Sequence, residues 1–169
     1  MKLEMMIAAG AKSWAISEAV LGESARQRVL GIDYGRKRIG LALSDAMRMT
    51  VRPLSTLVRT NRQNDIRRLR EICRTNAVGQ IVVGHPLHMS GVSGEMAEQV
   101  SRFAGRLQKE LGIPVELLDE RLTSWEAKRM VAQGELSRRK GGAVDDLAAA
   151  ILLRQYLEKE KQDQKVKEA

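Results

Sequence analysis

Residues 29–45, VLGIDYGRKRIGLALSD, constrain what this chain can fold into more than any other stretch. Two apolar runs flank a short turn that contains a glycine and the consecutive bases Arg36, Lys37 and Arg38. Apolar runs of this length, bounded by turn residues, are typical of buried strands. The first run ends on an acid, Asp33, although a partly desolvated carboxylate is costly without a partner. The stretch therefore predicts two buried strands whose shared end bears a carboxylate and a basic turn.

The rest of the chain alternates between strand and helix patterns. Strands are predicted at 29–33, 39–44, 52–58, 80–86 and 114–120, and helices at 62–75, 94–112, from 123 onwards, and at 143–156. The two later strands each follow a helix, so we expect them to lie parallel to the first strand through right-handed crossovers. The predicted fold is α/β, with a mixed five-stranded sheet: a three-strand antiparallel meander plus two parallel strands, covered by helices on both faces.

Length and composition indicate a single folded domain. A chain of 169 residues with 43% hydrophobic residues has room for one core of ordinary size. Charged residues interrupt the first 27 residues, so we expect a helical or disordered extension there and not a signal peptide. Residues 159–169 are expected to form a charged tail, either as a fraying helix end or as a disordered segment. No apolar stretch approaches the roughly 20 residues that span a bilayer.

The single cysteine, Cys73, excludes an internal disulfide. Its place in a helical pattern predicts a small buried residue in a reducing compartment, and hence a cytoplasmic protein. The 29 Lys and Arg residues outnumber the 21 Asp and Glu residues, which gives a net charge of +8. Such a balance favours nucleic acid as the partner, although solubility alone can also explain a basic protein. Aromatic residues make up only 3%, which argues against a single-strand stacking platform.

Three acids are candidates for chemistry: Asp33 after the first strand, Glu120 after the last strand, and Asp145 in the first turn of the last helix. The carboxyl ends of parallel strands share one edge of a sheet, where sites are usually built. Converging carboxylates repel one another unless cations lie between them, and Mg²⁺, or Mn²⁺, suits oxygen ligands. Two such ions about 3.5–4 Å apart hydrolyse phosphodiesters. We therefore predict metal-assisted cleavage of a nucleic-acid backbone.

Each acid also has a simpler interpretation. Asp145 complements a helix macrodipole by about 0.3–1 kcal/mol, and taken alone this is the better explanation. Glu120 fits an ordinary solvated turn equally well. For Asp33 a functional role is the better interpretation, because the apolar strand before it partly desolvates its carboxylate.

Basic residues accompany these acids and are candidate nucleic-acid contacts. The first set is the basic turn beside Asp33, where Gly35 allows close approach of a phosphate to the backbone. The second set precedes Asp145 and follows Glu120. The candidate residues are Arg36, Lys37, Arg38, Arg121 and Lys140, with Arg138 and Arg139 beside the last. The alternative is that these are solvated surface charges.

Four ordered motifs, GIDYGRKRIGLALSD, IVVGHPLHMSG, LLDERLTSWEA and VDDLAAAILLRQYL, span about residues 28–158. Together they resemble the YqgF/RuvX family, the Holliday-junction-resolvase-like members of the RNase H-like superfamily. The resemblance implies an RNase H-like fold and a metal-dependent endonuclease that matures the 5′ end of 16S ribosomal RNA. It places the family's acids on Asp33, Glu120 and Asp145, with Asp146 adjacent and not required.

The chain departs from the family in one loop, usually similar to VGLPLNMDG. Here His85, His88 and Ser90 replace the leucine, the amide and the acid. A loop that contains proline does not place two imidazoles together as a helix does, so we expect surface or phosphate-contacting histidines and not metal ligands. The departures leave substrate preference open.

Other functions remain open at this point. The substrate of the nuclease is structured RNA or, as the second candidate, branched DNA. A nucleic-acid or ribosome-binding factor with inactive acids would bind without Mg²⁺ dependence. A sugar-kinase or actin-like ATPase has a hairpin similar to DYGRKRIG, but needs two such domains. Monomer and homodimer are both compatible with the sequence.

Overall fold

The computed structural model describes residues 27–86, 94–119 and 144–168, with the side chains of 144–146 and 168 left out. The strands are β1 (Arg28–Tyr34), β2 (Arg38–Ser44), β3 (Val51–Val58), β4 (Val78–His85) and β5 (Val115–Asp119). The helices are α1 (Arg62–Thr75), α2 (Glu95–Leu111) and α3 (Val144–Glu168). The helix predicted from residue 123 lies outside the described residues.

The five strands form one mixed sheet in the order β3-β2-β1-β4-β5. Strands β1, β2 and β3 pair antiparallel, whereas β4 lies parallel to β1 and β5 lies parallel to β4. This confirms the predicted meander with two parallel strands. The ends of β1, β4 and β5 therefore share one edge of the sheet.

Helices α1 and α2 begin and end where the local sequence predicts. Asn61 caps α1, since its side chain accepts a hydrogen bond from the Asn64 amide at 2.9 Å. Ile66, Leu69 and Cys73 of α1 are buried against the sheet, at the spacing of one helix face. Gly112 ends α2 with a φ of 68°, a left-handed conformation that favours glycine.

The sheet separates two apolar cores. Helices α1 and α2 pack on one face, against side chains that include Leu30 and Ile32 of β1. Helix α3 packs on the other face, against Val29 of β1 and its neighbours. At Gly31 the approach is so close that a Cβ atom would lie 2.8 Å from the Leu153 Cβ and 3.1 Å from the Ala149 carbonyl oxygen. A glycine at this position allows α3 to contact the backbone of β1.

Helix α3 continues to Glu168, well beyond the predicted end at Tyr156. Leu157 is buried after that point, and Glu160 pairs with Arg48 in the turn between β2 and β3. The Glu, Lys and Gln residues that follow have high helix propensity, so the helix persists without an apolar period. Despite its 25 residues, neither α3 nor any other described helix is apolar enough to cross a membrane.

Candidate active site and its basic turn

Asp33 lies near the end of β1 on the sheet face that α3 covers. Side chains alternate along a strand, so Asp33 shares the face of Gly31, which contacts α3. Its partner on β2 is Gly40. On β4, Gly84 follows Val83, the partner of Ile32. Neither glycine places a side chain beside the partly buried carboxylate of Asp33.

Helix α3 runs antiparallel to β1. Near its C-terminal half, Glu160 pairs with Arg48, whose Nε donates to the Gln27 carbonyl just before β1. The opposite end of α3, which contains Asp145, therefore lies at the edge where β1 ends. From Ala149 back to Asp145 is about 6 Å of helix. The roughly 6.6 Å of strand from Gly31 to Asp33 runs in the same direction, so the backbones of the two acids lie toward the same edge of the sheet.

The third predicted acid, Glu120, lies outside the described residues, as do Arg121 and Lys140. Strand β5, parallel to β4, ends at Asp119 on the same edge as Asp33. Among the described side chains, which omit Glu120 and Asp145, no three metal-ligating groups cluster. The structure thus brings the backbones of Asp33 and Asp145 to one edge, and the complete carboxylate set stays a prediction.

The basic turn, residues 35–38, lies at this same edge and joins β1 to β2. The Gly35 amide donates to the Arg38 carbonyl oxygen at 2.9 Å. A Cβ atom at residue 35 would lie only 2.7 Å from that oxygen, so the turn requires glycine. Arg36, Lys37 and Arg38 are all exposed. The turn therefore presents three basic side chains beside the end of β1.

Arg59, which the sequence analysis did not single out, binds the basic turn from β3. Its Nη1 donates to the carbonyl oxygens of Gly35 at 3.0 Å and Arg36 at 3.1 Å. Its backbone amide donates to the Lys37 carbonyl oxygen at 3.0 Å. Three successive carbonyl groups of the turn are thus bound by one residue, which restricts the turn to one conformation.

Two further contacts hold the Arg59 side chain. Its Nε lies 3.5 Å from a carboxylate oxygen of Asp65, a buried acid that also accepts from the Thr60 amide. Its guanidinium lies 4.4 Å from the ring centroid of Tyr34, and that ring packs on Phe103 of α2. The only sequence signal for this cluster was an acid, Asp65, on the buried face of α1.

His85 lies on the sheet face opposite Asp33 and binds α2. Its Nε2 is 3.1 Å from the Ala97 carbonyl oxygen and 3.0 Å from the Ser101 hydroxyl. The Ala97 carbonyl oxygen can only accept, so the His85 Nε2–H donates to it. The Ser101 hydroxyl also donates to Ala97 and therefore accepts from the same N–H. The half-buried ring therefore joins β4 to α2. His88 and Ser90 lie outside the described residues.

Two described groups with raised pKa values lie away from this edge. Burial raises the pKa of the Cys73 thiol to about 11, in agreement with the predicted buried residue. Burial, with a hydrogen bond to Glu116, raises the pKa of the Tyr156 hydroxyl. That hydroxyl donates to the Glu116 carboxylate at 3.0 Å and joins α3 to β5. Both groups are neutral at physiological pH and contribute to packing.

The similarity to known proteins covers the same part of the chain as the four sequence motifs. A family model described as "RuvX: Holliday junction resolvase" matches residues 27–159. A protein of Koribacter versatilis (strain Ellin345) is 42% identical over 133 residues, 78% of this chain and 87% of that protein. A protein of Syntrophus aciditrophicus (strain SB) is 44% identical over 132 residues, which are 78% of this chain and 88% of that protein. Both relatives are named as proposed pre-16S rRNA nucleases.

The fold is similar to that of RuvC from T. thermophilus, solved in complex with a Holliday junction substrate. The TM-score is 0.53 at 19% sequence identity, over 80% of this chain and 96% of that one. At this identity the likeness concerns the fold alone. It confirms the predicted RNase H-like α/β architecture.

Proposed function

Because the chain belongs to the RuvX family of Holliday junction resolvases and is a nuclease by that membership, we propose that it is a metal-dependent endonuclease. Its proposed substrate is structured RNA, which it cleaves in maturation of the 16S rRNA 5′ end. The names of the relatives from Koribacter and Syntrophus support ribosomal RNA as the substrate. One structural observation carries the proposal: Asp33, the first turn of α3 and an exposed basic turn share one edge of the sheet. A cytoplasmic location is part of the proposal.

The residues at this edge fit a divalent cation, Mg²⁺ or Mn²⁺. The donor set consists of carboxylates, whose oxygens are the ligands that these ions prefer, and the strand neighbours of Asp33 on β2 and β4 are glycines. We assign Asp33, Glu120 and Asp145 as the ligands. When bound, such an ion supplies an activated water and stabilises charge on the leaving oxygen.

The basic residues have a separate task in this proposal, which is to bind and orient the substrate. Arg36, Lys37 and Arg38 contact backbone phosphates beside the scissile bond, with Arg121 and Lys140 as a second set. Arg59 restricts the conformation of the basic turn, so less entropy is lost when the turn binds a phosphate.

Branched DNA is the second candidate substrate. One observation favours it, which is the description of the matching family as Holliday junction resolvases. The same carboxylates and basic turn would serve either substrate, because both contain phosphodiesters. A homodimer would suit cleavage of a two-fold symmetric junction.

The test is cleavage of a labelled ribosomal RNA precursor fragment and a labelled four-way DNA junction, each with Mg²⁺, Mn²⁺ or EDTA. The Asp33→Asn variant should bind as the wild type does and lose cleavage by orders of magnitude. Asp45→Asn is the matched control, since Asp45 follows β2 at the opposite edge and accepts turn hydrogen bonds from Met49 and Thr50. Binding without cleavage by the wild type would identify a binding factor instead, and full activity of Asp33→Asn would refute the assigned site.

A further inference from the structure

Helix α1 has an unusual concentration of arginine. Of its 14 residues, five are exposed arginines: Arg62, Arg67, Arg68, Arg70 and Arg74. It also contains two acids, but Asp65 is buried and bound to Arg59 and Thr60. Glu71 is therefore the one acid that α1 exposes. The outer surface of α1 has a large excess of positive charge.

The neighbouring helix does not share this excess. Helix α2 packs on the same face of the sheet, and its charges balance. They are Arg102, Arg106 and Lys109 against Glu95, Glu98 and Glu110. If the basic residues served only solubility, they would have no reason to collect on one of two adjacent helices.

The arginines of α1 are also arranged and oriented. Arg67, Arg70 and Arg74 follow the spacing i, i+3, i+7, so they lie on one face within about 10 Å. Of the five arginines, only Arg70 contacts a described carboxylate, that of Glu110 at 3.9 Å. Arg67 instead binds the Asn64 side-chain oxygen at 2.6 Å, and Arg68 binds the Val58 carbonyl at 3.1 Å. These neutral partners orient the guanidinium groups without cancelling their charge.

Both ends of α1 adjoin other basic residues. At its N-terminal end, β3 ends at Val58, opposite Arg38 of the basic turn. At its C-terminal end, Asn76 accepts hydrogen bonds from Arg28 at 3.4 Å and Arg52 at 3.3 Å. A basic surface therefore extends from the basic turn along the whole of α1, about 21 Å, to Asn76.

We infer that this α1 surface binds the phosphate backbone of the substrate segment that extends past the basic turn, away from the cleavage site. The inference rests on the proposed function for the nature of the substrate. The length of α1 matches about six base pairs of duplex at 3.4 Å per step, and the planar guanidinium binds phosphate through two hydrogen bonds. Helix α1 lies on the sheet face opposite Asp33, so this surface contributes to binding and not to bond cleavage.

The test compares two double variants with the same change in charge. Arg67→Gln/Arg74→Gln alters the α1 surface, and Arg102→Gln/Lys109→Gln alters exposed positions on α2. Binding is measured by fluorescence anisotropy across a salt series, without divalent ions. Two nucleic-acid probes are used, and both contain the same stem-junction core. The longer probe differs only in its arms, which are extended by about ten base pairs.

For the longer probe, the α1 variant should bind at least tenfold more weakly than the wild type. The plot of its log K against log salt should become shallower, with the magnitude of the slope reduced by about 2, since each lost phosphate contact contributes about 0.9. The α2 variant should bind the longer probe within twofold of the wild type. The wild type and the α1 variant should bind the shorter probe with equal affinity. Arg67→Lys/Arg74→Lys should restore most of the slope, which separates lost charge from lost folding.

Three results would overturn the inference: equal loss of affinity in the α1 and α2 variants, equal loss on both probes, or no loss at all. Absence of binding by the wild type would also overturn it. Because no readout needs cleavage, a failure of the proposed nuclease activity would leave arm-length-dependent binding intact. The two ideas can therefore fail separately.

Discussion

The guanidinium of Arg59 donates to the carbonyl oxygen of Gly35 at 3.0 Å, and this bond ties β3 to the turn between β1 and β2. The turn exposes three basic side chains, yet its backbone is held from beneath by a cation that is itself mostly buried. In the proposed function, this restriction by a neighbouring strand holds the turn in place for a substrate phosphate. Arg59 is therefore a positioning residue for the basic turn.

Replacing Arg59 by methionine should release this turn. The change removes two hydrogen bonds to carbonyl groups and leaves buried Asp65 without its cation, at a cost of about 2–4 kcal/mol in unfolding free energy. Hydrogen exchange at the Gly35 amide should accelerate. Arg68→Met is the control, because Arg68 also donates to a backbone carbonyl, that of Val58, but from an exposed position. Equal exchange rates at Gly35 in both variants would contradict the positioning role.

Replacing Gly31 or Gly105 by alanine should change the free energy of unfolding in opposite directions. A Cβ atom at Gly31 overlaps Leu153 and Ala149, so Gly31→Ala should cost about 1–3 kcal/mol and shift α3 relative to Asp33. We expect nuclease activity to fall with it. Gly105 lies within α2 with nothing near its Cβ position, so Gly105→Ala should stabilise by about 0.5–1 kcal/mol. Urea unfolding midpoints of the two variants measure both effects, and shifts of the same sign would disprove the close packing at Gly31.

The buried thiol of Cys73 should make the protein less stable in alkali. Its pKa rises from 9.0 to about 11 on folding, so the folded state retains a proton that the unfolded state loses. The resulting stabilisation is fully present below pH 9 and is lost between about pH 9 and 11, by about 2–3 kcal/mol. Cys73→Ala should flatten the curve of unfolding free energy against pH between 9 and 10. An unchanged slope in that variant would show that other groups cause the alkaline loss.

The hydrogen bond from Tyr156 to Glu116 should stabilise the attachment of α3 to β5. Because the acceptor is a carboxylate, Tyr156→Phe should cost about 1.5–3 kcal/mol of unfolding free energy. A double-mutant cycle with Glu116→Gln isolates the interaction, and we expect a coupling energy of about 1 kcal/mol. A coupling near zero would mean that only burial of the ring matters.

Among the described residues, the sequence by itself determined the order of strands and helices and the directions of the strands. The bounds of α1 follow from the spacing of apolar residues, because a side chain's burial depends on local periodicity. The parallel placement of β4 and β5 follows from the helix that precedes each of these strands. The apolar runs of residues 29–45 likewise placed Asp33 and the basic turn at one end of a buried strand. Those features need only neighbouring residues to be recognised.

Only the tertiary structure decided which distant groups meet. The contact of Arg59 with Gly35 spans 24 positions and that of Arg48 with Glu160 spans 112, and no local pattern records either. The second contact joins α3 beyond Tyr156 to the turn between β2 and β3, and the antiparallel course of α3 places its N-terminal end at the edge where β1 ends. Such pairings depend on how the layers pack in space, since a long side chain selects its partner only after the backbone has brought the partner near.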